Sequence, residues 1–100
     1  MLFRSTHELI SKPELLRLHG EFLQRETPEQ ADDYYKRSWR CARAQRSNSM
    51  ELRTLTDLHQ LRVNQGARHT YRDALQRIFD RFDDGIDTPD LARARATLEA

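Results

Sequence analysis

The chain is poor in the residues that make cross-links, sheets and long loops. It has one cysteine in one hundred residues. A lone thiol cannot close an internal disulfide, which excludes the stapled small domains of oxidising compartments and points to a reducing, cytoplasmic interior. Glycine and proline total six, about half of the roughly 12% of average usage, and Val plus Ile number four against thirteen Leu and nine Ala. That balance favours helices over strands. No apolar run is longer than three residues, too short for a transmembrane helix or a signal-peptide hydrophobic region. An excess of charge of one sign is also absent. Seventeen Lys plus Arg against sixteen Asp plus Glu leave +1, which removes the strong field that general nucleic-acid and membrane-surface binders use.

What is present is charge of both signs and well-marked helix starts. Charged residues make up 33% and hydrophobic residues 37%, so a thin core lies under a charged surface. Ser11, Pro13 and Glu14 carry the Ser-x-x-Glu spacing of a capping box, and the helix that follows repeats Leu15, Leu18 and Phe22, with Leu16, Gly20 and Leu23 on a second row. Thr27-Pro28-Glu29-Gln30 is the sharpest start signal, a capping hydroxyl with Pro at the first helical position, opening a helix to about Arg46 on the row Ala31, Tyr35, Ser38, Ala42. Asn48 or Ser49 caps a third helix carrying Leu52, Leu55 and His59 beside Leu58 and Leu61, ended by Gly66 in the left-handed conformation. A fourth helix places Tyr71, Leu75, Ile78, Phe79 and Phe82 inward and closes at Gly85, and Thr88-Pro89-Asp90 opens a fifth with Leu91, Ala94 and Leu98.

These starts repeat. The interval from Ser11 to Asn48 is about 37 residues, near the roughly 34 of helix-turn-helix solenoids. The pattern predicts an all-α fold of antiparallel helical hairpins stacked as a short tetratricopeptide-like array of about five helices, over residues 11–100, behind an apolar arm or short helix at 1–10. Periodicity alone also describes an ordinary helix bundle.

Three segments carry a family likeness. Pro13-Glu14-Leu15-Leu16-Arg17-Leu18-His19-Gly20-Glu21-Phe22-Leu23, Ser49-Met50-Glu51-Leu52-Arg53 and Gly85-Ile86-Asp87-Thr88-Pro89-Asp90-Leu91 occur in that order. Together they resemble the tetratricopeptide-like C-terminal helical repeats of large bacterial predicted-ATPase regulators, proteins fused to a nucleotide cyclase or a transcription-activator domain. The resemblance implies a fold and a role in protein–protein contact, with a transcriptional or signalling regulator as partner. It implies no chemistry: the chain has three glycines and no Gly-x-x-x-x-Gly-Lys phosphate loop. On the fourth helix it departs from the family, with His69 and Tyr71 at usually small positions and Arg77 and Arg81 where Pro and Trp are common.

No constellation calls for a cofactor, a metal or catalysis. A calcium loop counted from Asp80 through Asp83, Asp84 and Asp87 sets Gly85 correctly but puts Phe82 and Leu91 at ligand positions. His7, His19, His59 and His69 lack the spacing of a zinc site, and His19 and His59 read as partly buried packing residues. Cys41 reads as a small core residue. An enzyme would need a polar pocket joining His59 and His69.

The interaction residues expected are Tyr34, Tyr35, Trp39, Arg40 and Arg43, aromatics and arginines of the kind that dominate interface hot spots. The same stripe, Lys36 and Arg37 to Arg46, is the alternative nucleic-acid surface, and the plainest account of it is that cations favour a helix C-terminus. Because a solenoid end leaves an apolar face uncovered, Leu2, Phe3, Leu9 and Ile10 are expected to cover it or to form a homodimer interface.

Overall fold

Five helices form in a computed structural model that describes residues 10–82 and 88–100, four at or beside the start signals and the fourth from Arg72, where no side chain caps it. α1 spans Lys12–Leu23, α2 Pro28–Ala44, α3 Asn48–Asn64, α4 Arg72–Phe79 and α5 Pro89–Glu99. The described residues contain no strand, and no helix among them is long and apolar enough to cross a membrane. α1 pairs with α2 and α3 with α4, α2 lies on α3, and α5 packs on both α3 and α4. The molecule is therefore two stacked hairpins followed by a single helix. α1 and α5 both touch α3, so the opening helices of successive units lie side by side. Leu2, Phe3 and Leu9 of the arm, and Asp83, Asp84, Gly85 and Asp87 of the acidic stretch, lie outside the described residues; Ile10 is half-buried.

Local chemistry explains the boundaries, with some corrections. The Ser11 and Thr88 hydroxyls accept from the backbone N–H of Glu14 and Leu91 at 3.4 and 3.2 Å. The cap of α3 is Ser47, one residue ahead of the expected pair, accepting from Met50 N–H at 3.4 Å. Thr27 precedes α2 but does not cap it: its hydroxyl turns back to donate to the Leu23 carbonyl. α2 and α3 end alike. Ser47 N–H reaches back to Ala42 O at 2.9 Å, and Ala67 N–H to Arg62 O at 2.7 Å. This six-to-one closure requires a left-handed residue just before it. Gly66 supplies it at φ 81°, as the sequence predicts, whereas in α2 the place is taken by Arg46 at φ 54°, a conformation that costs a side-chain-bearing residue about 1 kcal/mol.

The core runs through Ala31 and Tyr35 of α2, Leu52, Leu55, Leu58 and Leu61 of α3, Leu75 and Ile78 of α4 and Leu91, Ala94 and Leu98 of α5. α3 is buried nearly all round, Thr54, Thr56, Asp57 and His59 included, as a helix with neighbours on every side must be. Ser38 in α2 donates to the Pro13 carbonyl of α1 at 2.6 Å and lies 2.9 Å from the Thr54 hydroxyl of α3, so three helices share one satisfied polar contact.

The first apolar row of α1 faces the other way from expectation. Leu15 and Leu18 are exposed and Phe22 is 85% exposed, while Leu16 and Leu23 are half-buried and Pro13 and Gly20 fully buried. Gly20 decides this: with no side chain it lets α1 close onto α2 over the Tyr35 ring. A Cβ added there would sit 2.8 Å from two Tyr35 ring carbons and 3.2 Å from the Ala31 carbonyl oxygen. Gly→Ala in an open helix gains about 1 kcal/mol. Here Gly20→Ala is expected to lose about 1–3 kcal/mol in chemical denaturation, because a buried ring and a backbone carbonyl must give way. A variant as stable as the parent would contradict this packing.

Candidate functional site

The expected interaction residues lie on one helix but not on one face. Tyr35 is 1% exposed and belongs to the core, which removes it from the surface set. Its neighbour Tyr34 stacks flat on His19 of α1, ring centroids 4.2 Å apart at 1°, with the Arg37 guanidinium 5.1 Å above. His19 is exposed, not the partly buried packing residue expected. Arg40 is exposed and Cys41 half-buried. Trp39 and Arg43 are turned to the opposite side, toward α4. Part of the basic stripe is neutralised locally, Lys36 by Asp32 at 2.8 Å and Arg37 by Asp33 at 3.9 Å.

Trp39 and Arg43 open onto a cleft of about 260 Å³ between α2, α3 and α4, completed by Glu51, Leu55, Ala74, Arg77, Ile78 and Arg81. The indole meets Tyr71 edge-on at 6.2 Å and lies under Arg43 at 5.4 Å. Its Nε1–H is buried and has no acceptor. A buried N–H left without a partner is a standing cost of about 1–3 kcal/mol. Arg77 and Arg81 stand four residues apart on one side of α4 and its last turn, and among the described residues the Arg81 guanidinium donates only to the Asn48 side-chain oxygen, at 3.5 Å. Among the described residues, Arg43, Arg77 and Arg81 make no ion pair within 4 Å. Among the described residues, three guanidiniums and the apolar side of Trp39 and Ala74 thus line the cleft with one carboxylate, Glu51. This is chemistry for an anionic group on an apolar backbone. Arg77 and Arg81 stood out in the sequence only as departures from the family pattern; their four-residue spacing was the available signal for a shared face.

On the opposite side, charge is paired. Asp57 of α3, 7% exposed, accepts from Arg17 of α1 at 2.8 Å and from Arg93 of α5. Arg17 also grips Glu14 through two bonds of 2.9 Å, and Arg53 bridges Glu14 at 3.2 Å and Asp90 at 2.8 Å. The two-pronged bond from Arg17 holds the Glu14 carboxyl below its ordinary value, against the opposing effect of burial. Reciprocally Glu14, ahead of Asp57, makes Arg17 still harder to deprotonate.

His59 and His69, ten residues apart, meet at one cleft, which also contains Arg68 and Arg72. His59 is buried, its Nδ1 has no partner, and burial, then Arg72 and Arg68, push its imidazole pKa down. Among the described residues no three His, Cys, Asp or Glu side chains converge as a metal site.

Comparison with protein-family models, with curated proteins and with solved structures returned no match. Function is therefore argued from the residues themselves.

Two of these groups give a pH profile. Between its lowered native pKa and the ordinary 6.5 of a histidine, His59 takes up a proton only when unfolded, so stability falls as pH drops below 6.5. Glu14 does the same below 4.5. Denaturation midpoints should decline in two steps on acidification. His59→Leu should remove the upper step and leave the lower. A variant that keeps the upper step would contradict the assignment.

Proposed function

We propose that the protein is a non-enzymatic interaction module that binds an acidic, apolar segment of a partner protein in the cleft between α2, α3 and α4. The observation that carries the reading is the cleft itself, in which Arg43, Arg77 and Arg81, none in an ion pair within 4 Å among the described residues, stand around Trp39. A carboxylate entering there would lie among guanidiniums, while the partner's apolar side chains pack on the half-buried Trp39 and Ala74. The resemblance of the three sequence segments supports a transcriptional or signalling regulator in the cytoplasm as that partner. A small helical protein that occupies such a regulator acts in trans as a modulator or anti-activator.

The outer face of α1 supports homodimer formation alongside this. Leu15, Leu18 and Phe22 form an apolar row on a helix face that no other element covers among the described residues; of the expected interface set Leu2, Phe3, Leu9 and Ile10, only Ile10 is described. In a two-fold antiparallel pairing, Leu15 would lie against Phe22 of the second copy.

Trp39 is the chain's single tryptophan, so its emission reports the cleft directly. Titration with an acidic, leucine-containing peptide should shift that emission saturably, and Arg77→Glu with Arg81→Glu should weaken binding by about tenfold or more. An unchanged emission would end this reading. A shift produced instead by duplex DNA, steeply dependent on salt, would favour the nucleic-acid alternative carried by the Arg37 to Arg46 stripe. Light scattering at tens of micromolar should find a dimer that Phe22→Glu converts to a monomer; a monomeric parent would remove the α1 contact.

A further inference from the structure

The second cleft has a different chemistry. It lies where the C-terminal half of α3, the loop before α4 and the end of α5 meet, about 290 Å³ lined by His59, Arg68, His69, Arg72, Leu98 and Glu99 together with Ala100. That volume is roughly ten water molecules' share of liquid. His59 is 2% exposed and its Nδ1 has no hydrogen-bond partner, so an unpartnered, buried polar ring forms one wall. Arg72 is held in place by donating to the Leu98 carbonyl at 2.5 Å, which leaves the other N–H groups of its fork free to turn inward. Arg68 and His69 are exposed on the loop and reach the same space. Among the described residues neither Arg68 nor Arg72 makes an ion pair within 4 Å. α4 also begins at this end, after Tyr71 and with no side chain capping its first turn.

Charge selects the ligand. His59 is disfavoured as a cation by burial and then by Arg72 and Arg68, and the side-chain charges lining the cleft are these two guanidiniums and the Glu99 carboxylate. Two guanidiniums against one side-chain carboxylate leave these lining side chains with an excess of positive charge. A divalent metal would be repelled there and would find two imidazoles with no third ligand. Donors arrive instead from several directions, two planar forks and two rings, which suits an anion with three or four oxygens better than a planar carboxylate with two.

We propose that this cleft is a binding site for a small tetrahedral oxyanion, either inorganic phosphate or the terminal phosphate of a small phosphomonoester, held by Arg68 and Arg72 with His59 and His69. The site is separate from the Trp39 cleft and does not depend on it. The test is an NMR titration of the full chain with sulfate, phosphate and glycerol phosphate, each against sodium chloride at equal ionic strength, following the imidazole signals of His59 and His69. The oxyanions should shift these signals saturably and chloride should not. Sulfate, whose charge is fixed across the range, should raise the titration midpoint of His59. Arg68→Gln, at an exposed position, should weaken binding by about fivefold while leaving the melting temperature in chloride unchanged. Tighter binding of glycerol phosphate than of phosphate assigns the site to phosphomonoesters, and the reverse order assigns it to the free ion. Linear shifts equal to those in chloride, or an Arg68→Gln curve that superimposes on the parent, would overturn the proposal.

Discussion

A carboxylate in the middle of α3 sets the geometry of everything around it. Asp57 is nearly buried and accepts from α1 through Arg17 and from α5 through Arg93. Removing a carboxylate from water costs several kcal/mol unless cations and hydrogen bonds replace the solvent. Both guanidiniums must therefore come to it, and each brings its helix to a fixed register on α3. Apolar packing alone would tolerate sliding of α1, whose inward face holds only Pro13, Gly20 and the partly buried Leu16 and Leu23. The Arg17 and Ser38 contacts remove that freedom, and Gly20 sets how closely the helices approach.

Much of the fold is legible because helix starts are local chemistry. Ser11 and Thr88 cap where they should, Pro28 opens α2 even though Thr27 turns away, and Gly66 ends α3 through a conformation that few other residues adopt cheaply. The row Ala31, Tyr35, Ser38, Ala42 is the buried face of α2, as its spacing indicates. The misreadings share one cause: burial is decided by neighbours that spacing does not reveal. Leu15, Leu18 and Phe22 are more apolar than the row containing Gly20, yet Gly20 faces inward because only there can the Tyr35 ring fit. Arg46 takes a left-handed place that sequence rules reserve for glycine. Asp57 carries no local mark at all, since its partners lie 40 residues before it and 36 after it.

The candidate sites divide in the same way. Trp39 and Arg43 are visible as residue types prominent at interfaces, but Tyr34 and Tyr35 beside them are taken up by His19 and by the core. Arg77 and Arg81 join the cleft through the packing of α4 on α3, and His59 and His69 meet because the loop after Gly66 folds back over the end of α3. Two open basic clefts thus flank a core whose opposite side is internally neutralised. The near-zero net charge hides this separation, because acids and bases pair along α1, α3 and α5, while Arg43, Arg77 and Arg81 line one cleft and Arg68 and Arg72 the other.

The most direct test of this account is native-state hydrogen exchange on Asp57→Ala against the parent. If Asp57 ties the opening helices of the stack together, amides of α1 and α5 should lose protection in step, by about 2 kcal/mol, while those around Leu55, Leu58 and Leu75 retain most of theirs. Unchanged protection of α1 and α5, with losses confined to α3, would contradict it.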